Sequence, residues 1–216
     1  LYFLFIFRKS FEEPILFSGN HCCFSISRCK SKKKILYAHS LPKSIFQDLY
    51  LDHKNTFKFD FIKKFLIRKY YQNIITLDYI FFNSNKTKLK FLHAYPNLNT
   101  KVNLQVVYPF SDMDFIKKKN KIKNSLYFVI NSRHQNYKNL NHNLVILKEF
   151  LKNNKNIKVY LTQEGELTKE LINEYGKYKQ FVFTGYLEFQ DYYNLINNSC
   201  GIIFPSRDED FGISAL

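Results

Sequence analysis

The sequence has no apolar run long enough to cross a membrane. Its opening stretch, residues 1–7, is apolar and aromatic but ends at Arg8, whereas a membrane-spanning helix needs about 20 apolar residues. A secretory signal peptide is not predicted either, because the basic residues follow the apolar stretch and a small-residue cleavage site is missing.

Cysteines are few, and none is paired at the Cys-x-x-Cys spacing of common zinc and redox sites. The adjacent residues Cys22 and Cys23 seldom bond each other, so reduced thiols in a cytoplasmic protein are expected. His21, Cys22, Cys23 and Cys29 could be read as zinc ligands, but their spacing fits no usual tetrahedral site. We therefore predict no bound metal.

Basic residues outnumber acidic ones by 33 to 18, and the excess is confined to the first part of the chain. Residues 1–125 contain 23 Lys and Arg against 8 Asp and Glu, whereas residues 126–216 contain 10 of each. This asymmetry predicts two units with different partners. The lysine-rich residues 116–125 are the predicted linker between a domain of residues 1–115 and a domain of residues 126–216.

Apolar runs alternate with helical patterns through the second half. The predicted strands are residues 126–130, 157–161, 181–183 and 202–204. Leucines at helical spacing follow the first strand, at Leu140, Leu144, Leu147 and Leu151. The next helix is expected to carry Leu167, Leu171, Ile172 and Tyr175 on one face. Four strands alternating with three helices predict an α/β fold with a parallel, doubly wound sheet and right-handed crossovers.

Polar residues of this half come directly after the predicted strands. Ligands of such sheets bind at the carboxyl ends of the strands. The loops there are residues 131–139, 162–166, 185–186 and 207–212, so nearly every candidate polar residue is expected at one edge of the sheet. The last strand, residues 201–205, ends in proline and is expected to be buried on both faces.

Two of these loops resemble motifs of the retaining GT-B glycosyltransferases of family 4, also called glycosyltransferase group 1. Residues 208–216, Asp-Glu-Asp-Phe-Gly-Ile-Ser-Ala-Leu, resemble the start of the motif E-D-F-G-I-x-x-x-E, with Glu209 as its first glutamate. Residues 131–138 resemble the segment G-R-L-x-x-x-K, with Arg133 and Lys138 as its cations. Ser132 and His134 stand where the family usually has glycine and leucine. The resemblance implies a GT-B fold of two Rossmann-like domains with parallel sheets, both incomplete here.

The resemblance also implies roles for these residues. Glycosyl transfer expels a nucleoside diphosphate, and the guanidinium of Arg133 and the ammonium of Lys138 would stabilise the charge that builds on its phosphate oxygens without a metal. Glu209 would hold the hydroxyls of the donor sugar. The remaining members of the donor-binding loop would be Asp210, Phe211, Gly212 and Ile213, the last three presenting backbone amides to sugar and phosphate.

Two further segments resemble the family. Phe183-Thr184-Gly185-Tyr186 is similar to its F-x-G-x segment near the nucleotide base, where the glycine at Gly185 lets the backbone approach the ligand. Residues 37–43 are similar to the Y-x-H-x-P-x-R segment of mannosyltransferase-like members, with Lys43 in place of the arginine and the proline one position later, at Pro42. In that resemblance His39 faces the transferred sugar. An isolated histidine at a strand end is otherwise a hydrogen-bonded structural residue.

The implied function is a retaining, metal-independent transfer of a sugar from a nucleoside diphosphate sugar, with GDP-mannose favoured, to a hydroxyl of a carbohydrate or lipid-linked acceptor. No cofactor is expected beside the donor substrate. Cell-surface polysaccharide or glycolipid synthesis is the expected setting, and the basic first domain is expected to dock on anionic lipid at the inner face of the cell membrane.

The interrupted motif leads to two expectations about the end of the chain and its activity. The sequence opens without an initiator Met, and the family motif is interrupted after Leu216. We expect the second glutamate of the motif at the next residue, and we expect these 216 residues to be inactive by themselves.

Two other interpretations remain. Lysine-rich segments interleaved with Tyr and Phe are also typical of nucleic-acid-binding proteins. The charge is dispersed, however, and no RNP-like or helix-turn-helix pattern is present, so nucleic acid is not the expected partner. The third interpretation is a noncatalytic, degenerate transferase.

Overall fold

The computed structural model describes residues 9–19, 26–42, 46, 60–110 and 126–212. The chain divides into two compact units, Leu1–Phe110 and Ser111–Leu216. The predicted linker, residues 116–125, lies outside the described residues. Within these described ranges, no helix is long and apolar enough to span a bilayer.

The first unit is built around a parallel sheet. Its elements in chain order are β1 (Lys9–Phe11), β2 (Ile15–Ser18), β3 (Cys29–Ser31), β4 (Lys34–Ala38), α1 (Asp60–Ile74), β5 (Tyr79–Phe82), α2 (Asn85–Ala94) and β6 (Asn103–Val106). Strands β2, β4, β5 and β6 pair in that order, all parallel, and β1 and β3 form a separate parallel pair.

Burial explains how α1 and α2 pack in this unit. Ile80 and Phe82 alternate along β5 and are fully buried, as side chains on one face of a strand must be when a helix layer covers it. The rings of Tyr70 on α1 and Phe91 on α2 lie 6.4 Å apart, centroid to centroid. Tyr95 stacks on Tyr71 at 4.9 Å. The two helices are therefore neighbours in one layer.

The second unit alternates strands and helices as expected. It contains β7 (Tyr127–Asn131), α3 (Leu140–Asn153), β8 (Lys158–Thr162), α4 (Thr168–Tyr175), β9 (Phe181–Gly185), α5 (Phe189–Asn197) and β10 (Gly201–Ile202). The sheet order is β10-β7-β8-β9, and every pair is parallel. The predicted α/β class with parallel sheets is confirmed.

The apolar periodicity of α3 correctly marked its core face, since Leu140, Leu144 and Leu151 are buried and Leu147 packs against them. The expectation for α4 was wrong in one residue. Leu171 and Tyr175 are buried, but Ile172 is exposed. A helix advances about 100° per residue, which turns Ile172 away from the narrow stripe that the sheet covers.

The expectation that residues 201–205 form a strand buried on both faces was also wrong. Strand β10 has two residues and, among the described strands, it pairs only with β7. Ile202 is 39% exposed and Phe204 is exposed as well. The apolar run predicted a strand here, but the burial of a strand also depends on which strands pair with it, and among the described strands only β7 pairs with β10.

The strand order brings the loop after β10 next to the loop after β7. From β7 the chain proceeds outward through β8 and β9, then returns to place β10 on the other side of β7. Parallel sheets of this kind bind ligands at the carboxyl ends of their strands. The loops after β7 and β10 are those that carry Arg133 and Glu209.

Candidate functional site

A cavity of about 290 Å³ opens at the carboxyl ends of β7 and β8. Its lining residues are Asn131, Ser132, Arg133, Tyr137, Lys138 and Gln163. The two cations predicted from sequence thus lie in one cavity. Arg133 is an exposed residue, so a solute can reach its guanidinium.

The turn after β7 positions Lys138. Residues Asn136–Lys138 form one turn of 310 helix, and Asn139 then takes a left-handed backbone, φ 57°, before α3 begins. Asn tolerates this conformation better than most residues. The Nζ atom of Lys138 lies 5.1 Å from the centre of the Tyr137 ring, so the aromatic face also stabilises the ammonium.

Lys138 forms an ion pair with Glu209, from its Nζ atom to Oε1 of the carboxylate. The two side chains are 15% and 25% exposed, so the pair is largely shielded from water. Glu209 follows β10 and Lys138 follows β7, and the pairing of these two strands brings the side chains together. The sequence predicted both residues as site members but did not predict that they neutralise each other.

The loop that contains Glu209 includes a left-handed glycine. Gly212 has φ +85°, a conformation in which a side chain is strained. Asp210, Phe211 and Gly212 are all partly buried. Their contacts with a donor remain a prediction, and Ile213 lies outside the described residues.

Gly185, at the end of β9, also has a left-handed backbone, with φ +66°. Its carbonyl accepts a hydrogen bond of 3.0 Å from the backbone N–H of Gln163, which ties the loop after β9 to the cavity. Tyr186 is exposed. The left-handed backbone gives a local reason for a glycine at this position. That the backbone at Gly185 approaches a nucleotide base stays a prediction.

Sequence reasoning did not single out Gln163 or Asn131 as cavity residues. Gln163 has φ 70° although it is not a glycine, and such outliers cluster at ligand sites. The amide of Asn131 donates to the hydroxyl of Tyr192 and accepts a 3.0 Å hydrogen bond from the Thr162 hydroxyl. Burial raises the pKa of Tyr192. Nothing in the sequence marks a glutamine as having a left-handed backbone. The contacts of Asn131 could not be predicted either, because its partners are far from it in the sequence.

His134 is buried beside the cavity rather than in its lining. Its Nδ1 atom lies 2.9 Å from the hydroxyl of Thr168, and its buried Nε2 atom has no hydrogen-bond partner. Burial lowers the pKa of His134, and the nearby charge of Glu164 opposes this effect. The imidazole is therefore neutral at neutral pH.

This histidine should make the second unit acid-sensitive. Below about pH 6.5, the ordinary pKa of histidine, the unfolded chain binds a proton that the folded site resists, so the free energy of unfolding falls as pH falls. We expect the thermal midpoint of the full-length protein to fall less on acidification in His134→Leu than in the wild type. His142→Leu, at an exposed position of α3, is the matched control. Equal acid losses in all three proteins would contradict the prediction.

His39, in the first unit, has identifiable structural contacts. Its Nε2 atom lies 3.4 Å from the hydroxyl of Ser18, and its carbonyl accepts a 3.0 Å hydrogen bond from the side-chain amide of Asn83. The ring packs edge-on against Tyr37 at 4.9 Å. The imidazole remains exposed, which leaves it accessible, and its role near a sugar stays a prediction.

Candidate metal ligands are sparse in the part of the chain that the structure describes, where no group of three or more His, Cys, Asp or Glu side chains could hold an ion. Cys29 and Cys200 are free thiols, and Cys22 and Cys23 lie outside the described residues. Sequence reasoning passed over two Asp-x-Asp spacings, at residues 112–114 and 208–210. The first lies outside the described residues, and the second flanks Glu209.

One family model matches part of the chain. Residues 112–216, nearly all of the second unit, match the family model "Glycosyl transferases group 1". No curated protein sequence matches the chain.

Solved structures resemble the chain at low identity. Sucrose-phosphate synthase from Thermosynechococcus elongatus has a TM-score of 0.70 and 11% identity, over 94% of this chain and 52% of that one. TarM has a TM-score of 0.64 and 13% identity, over 93% and 38%. A trehalose-6-phosphate protein from E. coli, bound with UDP-2-fluoro glucose, has a TM-score of 0.63 and 12% identity, over 92% and 53%. The chain thus spans about half or less of the length of these proteins. It has the GT-B fold of glycosyltransferases, and its residues 112–216 match the group 1 family of these enzymes.

Proposed function

We propose that the protein transfers a sugar from a nucleoside diphosphate sugar to a hydroxyl acceptor. The observation that carries the proposal is the cavity lined by Arg133 and Lys138, with Glu209 beside it in an ion pair with Lys138. Two cations beside a carboxylate suit a ligand that has both phosphate oxygens and sugar hydroxyls. The match to the group 1 family supports the same reaction class.

The chemistry assigns a distinct task to each charge. As the bond from the anomeric carbon to the diphosphate breaks, negative charge grows on the leaving oxygen, and fixed cations stabilise it most at that moment. Arg133 is accessible from the cavity, so it would contact the diphosphate first. Lys138 would shift part of its interaction from Glu209 to the phosphate, which frees carboxylate lone pairs to accept hydrogen bonds from sugar hydroxyls.

The finer assignments extend the same proposal. We propose a retaining reaction without a divalent metal, in a member of family 4. The histidine segment at residues 37–43 favours mannose and GDP, whereas one structural neighbour is bound with a UDP sugar. The acceptor would be a carbohydrate or a lipid-linked hydroxyl, as in cell-surface polysaccharide or glycolipid synthesis.

Ligand-induced stabilisation of the full-length protein tests the donor site. GDP-, UDP- and ADP-sugars would be compared by thermal shift, each with and without EDTA. A ligand at about 100 times its Kd should add about 2.7 kcal/mol to the free energy of unfolding. We expect one nucleotide class to raise the thermal midpoint, equally in EDTA, and to support sugar transfer in the same buffer.

Two outcomes would count against the proposal. If no nucleotide sugar shifts the midpoint, the cavity is not a donor site. If transfer occurs but stops in EDTA and returns with a divalent cation, the metal-independent mechanism is wrong while the transferase assignment stands. Binding without transfer to any acceptor would favour the noncatalytic interpretation.

A further inference from the structure

The outer face of α1 carries exposed aromatic side chains flanked by cations. Phe61 is 70% exposed and Phe65 is 56% exposed. They lie four residues apart and therefore on the same side of the helix. At about 100° per residue, Lys64 and Arg68 flank this pair on one side and Lys69 flanks it on the other; these three cations are exposed as well.

The neighbouring helix α2 continues this surface. Leu89 is 65% exposed, and it faces away from the buried residues Thr87 and Phe91 that pack toward the sheet. Lys86, Lys88 and Lys90 are its closest basic neighbours in sequence. Because α1 and α2 pack side by side in one layer, their outer faces look in the same direction.

Acidic residues are scarce in this layer. Besides Asp60, the first residue of α1, the sequence from residue 60 to residue 94 has a single carboxylate, Asp78. One of its oxygens accepts a hydrogen bond of 2.7 Å from the backbone N–H of Lys34, so it serves the sheet rather than the helix surface. Coding bias toward lysine does not account for this excess of basic over acidic residues, because the second half of the same chain has equal numbers of both.

We propose that the outer face of α1 and α2 docks on an anionic lipid surface. Phe61, Phe65 and Leu89 would enter the boundary between headgroups and acyl chains, and the surrounding Lys and Arg side chains would contact lipid phosphates. Long basic side chains can bury their methylene stems and keep the charge at the headgroup level. This docking surface does not depend on sugar transfer, since a protein without transferase activity would present the same face.

Lipid suits this surface better than nucleic acid does. Proteins that bind single strands use a basic groove that follows the backbone, with aromatic rings on which bases stack. Here the apolar side chains lie on the outer face of a helix layer, and Leu89 offers no ring for stacking. Transfer of Leu89, which is 65% exposed, into an apolar phase is favourable because it removes aliphatic surface from water.

Co-flotation of the full-length protein with vesicles tests the proposal. We expect flotation with phosphatidylcholine vesicles that contain phosphatidylglycerol, weaker flotation with phosphatidylcholine alone, and loss of flotation as salt is raised. Phe61→Ser with Phe65→Ser should abolish flotation. Lys64→Gln, Arg68→Gln and Lys69→Gln together should weaken vesicle affinity by roughly 100-fold, from the attraction of each cation to anionic lipid.

The second unit offers a matched control. Val145 and Ile146 on α3 are exposed to a similar degree as Phe65, so Val145→Ser with Ile146→Ser removes comparable apolar surface elsewhere and should leave flotation unchanged. Folding of each variant is checked by its thermal midpoint. Absence of flotation with anionic vesicles in the wild type, or equal loss in the α1 and α3 variants, would overturn the proposal. So would binding to a single-stranded oligonucleotide that the α1 variants lose while flotation persists.

Discussion

Arg133→Ala and Lys138→Ala are each expected to lower turnover of the full-length protein by ~100-fold or more, because each removes a cation needed most as charge develops on the leaving phosphate. Both side chains line the same cavity, and neither lies in the apolar core cluster of the second unit, so folding should survive. The measurement is kcat and kcat/KM with the donor that stabilises the protein in the thermal-shift panel.

Lys152→Ala is the matched control for this prediction. Lys152 lies near the end of α3, is exposed and pairs with Glu149, so its removal takes away one cation of the same unit without touching the cavity. We expect it to leave turnover unchanged. Unchanged turnover in both Arg133→Ala and Lys138→Ala would remove the diphosphate role from these residues.

The ion pair between Lys138 and Glu209 makes the two positions coupled. Lys138→Ala leaves Glu209 in a shielded setting without its partner, so part of the loss in that variant could come from the carboxylate. A double-mutant cycle with Glu209→Gln separates the contributions. If both residues act in the same transition state, the double variant should lose less than the sum of the two single losses in activation free energy.

Gly165→Ala is expected to destabilise the second unit by about 1–3 kcal/mol, because an added methyl group forces a backbone shift in a tightly packed turn. A Cβ atom there would lie 2.5 Å from the backbone oxygen of His134 and 2.9 Å from its carbonyl carbon. The same carbonyl accepts a 2.9 Å hydrogen bond from the N–H of Leu167. It therefore cannot move without loss elsewhere.

Thermal unfolding measures this effect. A domain of about 60–100 residues loses about 4–8 °C of its midpoint for each kcal/mol. Gly201→Ala is the control, because a Cβ atom there would meet nothing closer than Phe128 at 3.9 Å. An unchanged midpoint in Gly165→Ala would show that the turn after β8 adapts to the methyl group, contrary to the close approach seen here.

Much of the fold was readable from local patterns. The leucine spacing of α3 and the apolar runs of β7, β8 and β9 predicted those elements within a few residues, because periodicity reflects which side of an element is covered. The same reasoning failed for β10 and for Ile172. Apolar character alone does not report how many neighbours a strand has or how wide the covered stripe of a helix is.

The candidate site was readable in its residue types but not in its contacts. Spacing and motif likeness singled out Arg133, Lys138 and Glu209, but the ion pair between Lys138 and Glu209 follows from β10 pairing with β7. Gln163 gave no signal, since its left-handed backbone is imposed by the turn between β8 and α4.

The sequence by itself determined the alternation of strands and helices, the basic character of the first half and the polar residues that follow each strand. These properties depend on neighbours along the chain, whose side chains set periodicity and charge. Only the tertiary structure decided which loops meet. The strand order β10-β7-β8-β9 brings together residues that are 71 positions apart, and the close approach of Gly165 to His134 requires the turns after β7 and β8 to be packed. Contacts at such separations depend on strand pairing across the sheet, which periodicity along one strand does not specify.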